Sequence, residues 1–159
     1  LEKGSKCLVA VRVRGSVNVR KDIEDTLRML NLTRNCHATI IDDRPSYIGM
    51  LQKVQNQVTW GEASKDTILM LLKERGRLVG NKKITDEYVK KIGFESIDDL
   101  AEAIYNLRVE FNKLPGIKPV FRLHPPSKGY KGSVKKSWKS GGVTGYRGEA
   151  INDLIKRMI

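Results

Sequence analysis

The eight residues "CLVAVRVR", Cys7 to Arg14, alternate without a break: Val9, Val11 and Val13 fall on one side, Ala10, Arg12 and Arg14 on the other. A two-residue period is that of a pleated strand with one buried face, so whatever follows must supply a layer to cover it. Gly15 interrupts the run. Ile23, Leu27 and Leu30 then recur at helical spacing, with Asn18 placed to cap them. "CHATII", Cys36 to Ile41, is a second strand, ended by "DDRP". Ser46 is placed as the N-cap of a helix that turns Ile48, Leu51 and Val54 inward, and Val58 to Trp60 form a third strand before Gly61. Residues 1–61 therefore predict a βαβαβ unit, an α/β two-layer sandwich whose open sheet face carries arginine.

The following stretch is helical and charge-balanced. Ser64 caps "SKDTILMLLKERG", which Gly76 stops; "TDEYVKKIG" is a short helix between Thr85 and Gly93. Ser96 and Asp99 stand in capping-box spacing ahead of a stripe of Leu100, Ile104, Leu107 and Phe111. A short strand, "VFRLH", is fenced by Pro119 and Pro125, and a last helix buries Ile151, Leu154, Ile155 and Met158. Residues 62–159 hold too few strands for an α/β domain of their own. They read as a helical extension wrapped onto the first unit, with a basic loop over 115–148.

Charge decides what such a fold is for. The net charge is +12 and the isoelectric point near 9.8, a field that draws in polyanions. Lys3 to Lys21 holds six cations and no acid, and Pro115 to Gly148 holds eight cations and no acid, so the remainder is slightly acidic. A membrane partner is disfavoured. No run approaches the ~18 apolar residues of a span, and the glycines of the basic loop forbid an amphipathic helix there. Nucleic acid remains.

Within the loop, Lys128, Lys131, Lys135, Lys136 and Lys139 can neutralise phosphates, and Tyr130, Trp138 and Tyr146 can stack on unpaired bases. Arg122, His124 and Arg147 stand at its margins. Its low apolar content predicts a segment ordered only on RNA. Arg12 and Arg14 on the strand face, with Arg20 and Lys21 at the next helix start, make a second anchor. Tyr47, Lys53, Asn56 and Trp60 extend it, although Trp60 suits a core position equally well.

Chemistry is sparse. His37 lies beside Cys36 in a strand, and no nucleophile or acid shares the segment of His124. "GRLVGNKK" lacks the spacing of a phosphate-binding loop, and "GYRG" matches a nucleic-acid clamp only in four letters. Cys7 and Cys36 have no metal-ligand spacing and read as buried free thiols of a reducing compartment. No enzyme, cofactor or metal is expected.

Three stretches in order carry a resemblance: "VAVRVRGSVNVRKDIEDTLRMLNL", "PSYIGMLQKVQNQVTWGE", and "FRLHPPSKGY" with "GGVTGYRGEAINDLI". Together they resemble the L-thirty family of large-ribosomal-subunit proteins, closest to its archaeal form, which is related to the eukaryotic L-seven. The resemblance implies a small three-stranded, mainly antiparallel sheet with two helices on one face, a relative of the ferredoxin-like arrangement. It implies a structural role on large-subunit ribosomal RNA near the 5S RNA, beside other ribosomal proteins in the cytoplasm, with no small-molecule substrate. It also implies that Arg12, Arg14, Arg20, Tyr47 and Trp60 lie on the RNA side. A non-ribosomal RNA chaperone or regulator is the alternative reading.

Overall fold

The computed structural model describes residues 6–15, 17–130 and 132–159. The alternating run forms β1 (Cys7–Arg12), the central strand of a five-stranded sheet. β2 (His37–Asp42) and β3 (Val58–Glu62) both pair antiparallel to it. Two-residue strands close the edges: β4 (Phe121–Arg122) antiparallel to β2, and β5 (Gly145–Tyr146) parallel to β3. α1 (Lys21–Met29) follows β1, and α2 (Pro45–Lys53) joins β2 to β3. The extension supplies α3 (Lys65–Met70), which continues as a π-helical turn over Leu71–Arg75, then α4 (Asp86–Lys91), α5 (Ile97–Tyr105) and α6 (Ile151–Met158).

The βαβαβ unit is present, and the alternation sorts β1 as its period requires, but neither face is open. Leu8 and Ala10 pack with Leu27, Leu51, Val58 and Trp60 under α1 and α2. Val9 and Val11 pack with Ala38, Ile40, Ile68, Leu100, Ile104 and Ile155 under the extension. The arginine side is thus the α1/α2 side, and the valine side is covered by α3, α5 and α6. A strand buried on both faces keeps its alternation only because a polar residue on it finds internal partners.

Local boundaries moved where a neighbouring residue overrode the pattern. Pro45 has no N–H to lose and its φ suits a first turn, so α2 starts from Arg44 and Ser46 lies inside the helix. Asn18 adopts a left-handed turn conformation and Arg20, without a side-chain capping bond, takes the cap position of α1. Ser64 and Ser96 cap as expected and Thr85 caps α4 as well, the three accepting from the amides of Thr67, Asp99 and Tyr88 respectively. Asp99 returns the bond to the amide of Glu95, not Ser96. The α5 stripe ends early. Leu107 turns left-handed, so Phe111 arrives from a separate turn and stacks on Phe121 at 4.6 Å.

The basic segment was predicted to be ordered only on RNA, but it folds back on itself. Val143 N–H donates to Lys136 O (2.9 Å), Trp138 N–H to Thr144 O (2.7 Å) and Gly142 N–H to Ser137 O (2.8 Å). β5 then docks on β3, where the Thr59 hydroxyl donates to Gly145 O (2.8 Å). Backbone bonds, not apolar content, hold this turn, and hydropathy does not report them.

At the far end of β2, Arg44 pairs with Asp42 (2.8 Å) and with Glu110, which ties the segment after α5 to the sheet. The hydrogen bond from Arg44, opposed by partial burial, holds the Glu110 carboxyl below its ordinary 4.5. A carboxyl lowered on folding adds stability above its unfolded pKa and loses it as pH falls through the folded one. Glu110→Gln should therefore melt below wild type at pH 6, and the gap should narrow as the pH falls through the lowered pKa of the folded protein. Thermal melts across a descending pH series check this; a gap that does not change with pH removes the pair as its source.

Candidate nucleic-acid interface

The strand register sorts the polar residues by sheet end. β1 finishes where β2 and β3 begin, since Val11 faces Ala38 and Arg12 faces Val58. Arg14 leaves β1 there, and Lys53 and Asn56 close the α2 crossover there. Arg34 precedes β2, and Arg122 pairs with His37 at the sheet edge. Glu24 in the first turn of α1 reaches Arg12 (2.7 Å), bringing Arg20 and Lys21 to the same end. The chain before β5, with Lys135, Lys136, Trp138 and Lys139, approaches from this side too, because β5 runs parallel to β3. The C-terminus of α6 closes the set: Arg157 donates to Gly129 O (2.8 Å), next to Lys128.

The opposite end is acidic. Asp42, Asp43, Glu62, Glu110 and Glu149 gather there around Lys6 and Arg44. One pole of the sheet thus holds a cluster of uncompensated cations. Lys53, Arg122, Lys135, Lys136 and Lys139 are exposed and make no ion pair among the described residues. His37, half-buried beside Arg122, Arg34 and Arg12, has its pKa lowered by burial first and then by those charges, which keeps it neutral at this pole.

Six residues predicted to meet RNA are engaged elsewhere, and Lys131 lies outside the described residues. Arg12 is 0% exposed. Its Nε donates to Arg14 O (2.9 Å), Nη1 to Leu32 O (2.9 Å) and Nη2 to Glu24 (2.7 Å), so it is an internal staple of α1 on the sheet. Tyr47 sits at the acidic pole, its ring 5.0 Å from the Arg44 guanidinium and its hydroxyl accepting from Asn112 (3.1 Å). Trp60 is buried with the α1/α2 core, as its strand position allows. His124 has each ring nitrogen 2.6 Å from a carbonyl, those of Pro125 and Ile159. Tyr130 packs on the extension core; burial first, then Cys36, pushes its phenol above the usual range. Arg147 is buried: its Nε donates to the Thr59 hydroxyl (2.8 Å) and its Nη2 to Val143 O (2.5 Å). Burial and nearby Arg157 pull its pKa down to about 10.

Two aromatics of the loop do face solvent. Trp138 is 40% and Tyr146 46% exposed. The Arg147 guanidinium lies 4.6 Å from the Trp138 ring centroid and props the ring up from beneath. The Tyr146 hydroxyl donates to Glu62 (2.5 Å), a bond that pushes its pKa up to about 12. Sequence reading missed Arg34, Arg157, Gln52 and Gln55. Arg34 carried a legible signal, since a residue just ahead of a strand antiparallel to β1 must lie where β1 ends. The others depend on where α6 and the β5 edge come to rest.

The two thiols do not add a nucleophile to this surface. Burial pushes the Cys7 thiol up to about 12 and raises Cys36 as well, so neither thiol is a ready nucleophile. Among the described residues no cluster of His, Cys, Asp and Glu is arranged to hold a metal, and no helix is long and apolar enough to cross a membrane.

The family model described as "Ribosomal protein L30p/L7e" matches residues 8–58, the βαβαβ unit up to the start of β3. Beyond that unit, most of the chain aligns with "Large ribosomal subunit protein uL30" of Methanopyrus kandleri at 52% identity over 149 residues, covering 92% of this chain and 100% of the relative. The chain belongs to the uL30 family. The uL30 proteins of Methanosphaera stadtmanae (53% over 150 residues, 94% of this chain and 97% of the relative) and Nanoarchaeum equitans (52% over 149 residues, 93% and 96%) agree. The extension and basic segment are therefore part of the family's archaeal pattern. Like its relatives, the chain is a structural ribosomal protein of this family and not an enzyme.

Proposed function

We propose that this uL30-family chain is a structural constituent of the large ribosomal subunit, in the cytoplasm, that binds folded ribosomal RNA through the basic pole of its sheet. The single observation carrying this reading is the convergence of Arg14, Arg34, Lys53, Arg122, Lys135, Lys136 and Lys139 on one sheet end, opposite an acidic one. Such a dipolar molecule docks with one orientation on a polyanion, and its rigid sheet end suits recognition of RNA shape and backbone over base sequence. The acidic pole is left for neighbouring proteins, whose extensions in a ribosome are commonly cationic. The resemblance to the archaeal L-thirty form favours a location near the 5S RNA.

Gradient sedimentation of the tagged chain from a cell lysate tests this. The wild-type chain should travel with the large subunit and remain there at roughly 0.5 M salt, where a loose electrostatic encounter dissolves by counterion release. Lys135→Glu with Lys136→Glu leaves the fold intact, because both side chains are exposed, and should weaken binding to large-subunit RNA roughly tenfold or more while lowering the salt slope by about 1.5. A wild-type chain at the top of the gradient in moderate salt would favour a non-ribosomal RNA regulator instead.

A further inference from the structure

Between the end of α2 and the β5 edge lies a cleft of about 280 Å³, lined by Gln52, Gln55, Trp60, Trp138, Lys139 and Tyr146 together with Ser137, Thr144 and Gly145. We infer that this cleft takes one unstacked nucleobase from the bound RNA, an inference that rests on the RNA-binding reading above.

The walls are aromatic. Trp60 and Tyr146 stand 6.4 Å apart at 51°, so the buried indole supports the exposed phenol from within the core. Trp138 borders both this cleft and the recess in which Arg147 sits, and its ring stands between the two. A guanidinium behind the indole stops the ring from folding flat into that recess and leaves the cleft side free to stack. Two amide side chains complete the lining. Gln52 and Gln55 each offer a donor pair and an acceptor, the chemistry that meets a base edge.

Charge selects the occupant. No acid lines the cleft, and Lys139 lies within it. Lys53, next in sequence to Gln52, and Lys135 and Lys136, just ahead of Ser137, are exposed cations near this lining in the chain and would meet the phosphates flanking an extruded nucleotide. An aromatic side chain from a neighbouring protein would fill the walls but gain nothing from that cationic rim. The volume suits one base and little more, since sites for larger ligands begin near 300 Å³.

The test uses the whole protein on deproteinised large-subunit ribosomal RNA, with hydroxyl-radical footprinting for the backbone and chemical probing for base edges. Wild type should protect a stretch of backbone and shield the edge of one unpaired nucleotide. Trp138→Ala should abolish that shielding and weaken binding about 10- to 100-fold, the range for losing one stacked base, with the backbone footprint recovered at higher protein concentration. Because this change also uncovers Arg147, Gln55→Ala is the companion: it is exposed just past α2 and should lose the shielding with intact melting behaviour. Shielding that survives both substitutions, or is absent in wild type beside a normal backbone footprint, overturns the inference. A wild-type protein with no backbone footprint overturns the RNA-binding reading itself, a separate result.

Discussion

Arg12→Ala should lower the stability of this protein by about 3–5 kcal/mol, the range for removing one partner of a buried ion pair. The side chain is fully enclosed and spends its guanidinium on two carbonyls and the Glu24 carboxylate. Alanine would leave the Leu32 and Arg14 carbonyls without that donor and a cavity under α1. Against a typical margin of 5–15 kcal/mol this is a large fraction of the whole. Arg12→Met fills most of the volume and should recover part of the loss, because Glu24 is partly exposed and can turn to water. Denaturant melts measure the first effect. RNA affinity, corrected for the folded fraction, should be unchanged in both variants. An Arg12→Ala protein that melts like wild type yet loses RNA would make the side chain a ligand after all.

Gly61→Ala should be nearly as damaging, at about 3 kcal/mol and roughly 6–12 °C in melting temperature for a chain of this size. The reason is space, not backbone freedom. A Cβ on Gly61 would overlap the carbonyl oxygen of Gly148, lie 2.8 Å from its carbon and 3.0 Å from the Ile151 Cγ2. Two of those atoms are backbone, at the turn that leads into α6, and they cannot step aside as a side-chain tip can. Hydrogen bonds from Asn152 to Glu62 O (3.1 Å) and from Ser64 N–H to Asn152 (2.9 Å) pin the same junction. Gly49→Ala is the internal control: it lies exposed in α2 with nothing near its missing Cβ, and should stabilise by about 0.5–1 kcal/mol. If Gly61→Ala melts like wild type, α6 does not rest on β3 as described.

Both predictions concern residues whose roles the sequence left open. Gly61 read only as the end of a strand, yet β3 continues to Glu62 because the register with Val9 and Leu8 continues. Arg12 read as an exposed cation because alternation reports which residues share a face, not whether that face is covered. Tyr130, Arg147 and His124 sat in a basic run and were assigned to RNA with it. Their partners, Cys36, Thr59 and Ile159, lie far away in the chain, and nothing local announces them.

By itself the sequence determined the βαβαβ unit, the helix caps at Ser64 and Ser96, the two acid-free cationic segments and hence a polyanionic partner. These follow from short-range periodicity, cap chemistry and charge, which need no knowledge of distant residues. Tertiary structure alone decided that both sheet faces are covered, that the two cationic segments meet at one sheet pole, and which of their cations stay exposed there. That outcome rests on strand register and on where α6 and β5 dock. Long-range contacts turn a list of positive residues into a few internal staples and one exposed, oriented surface.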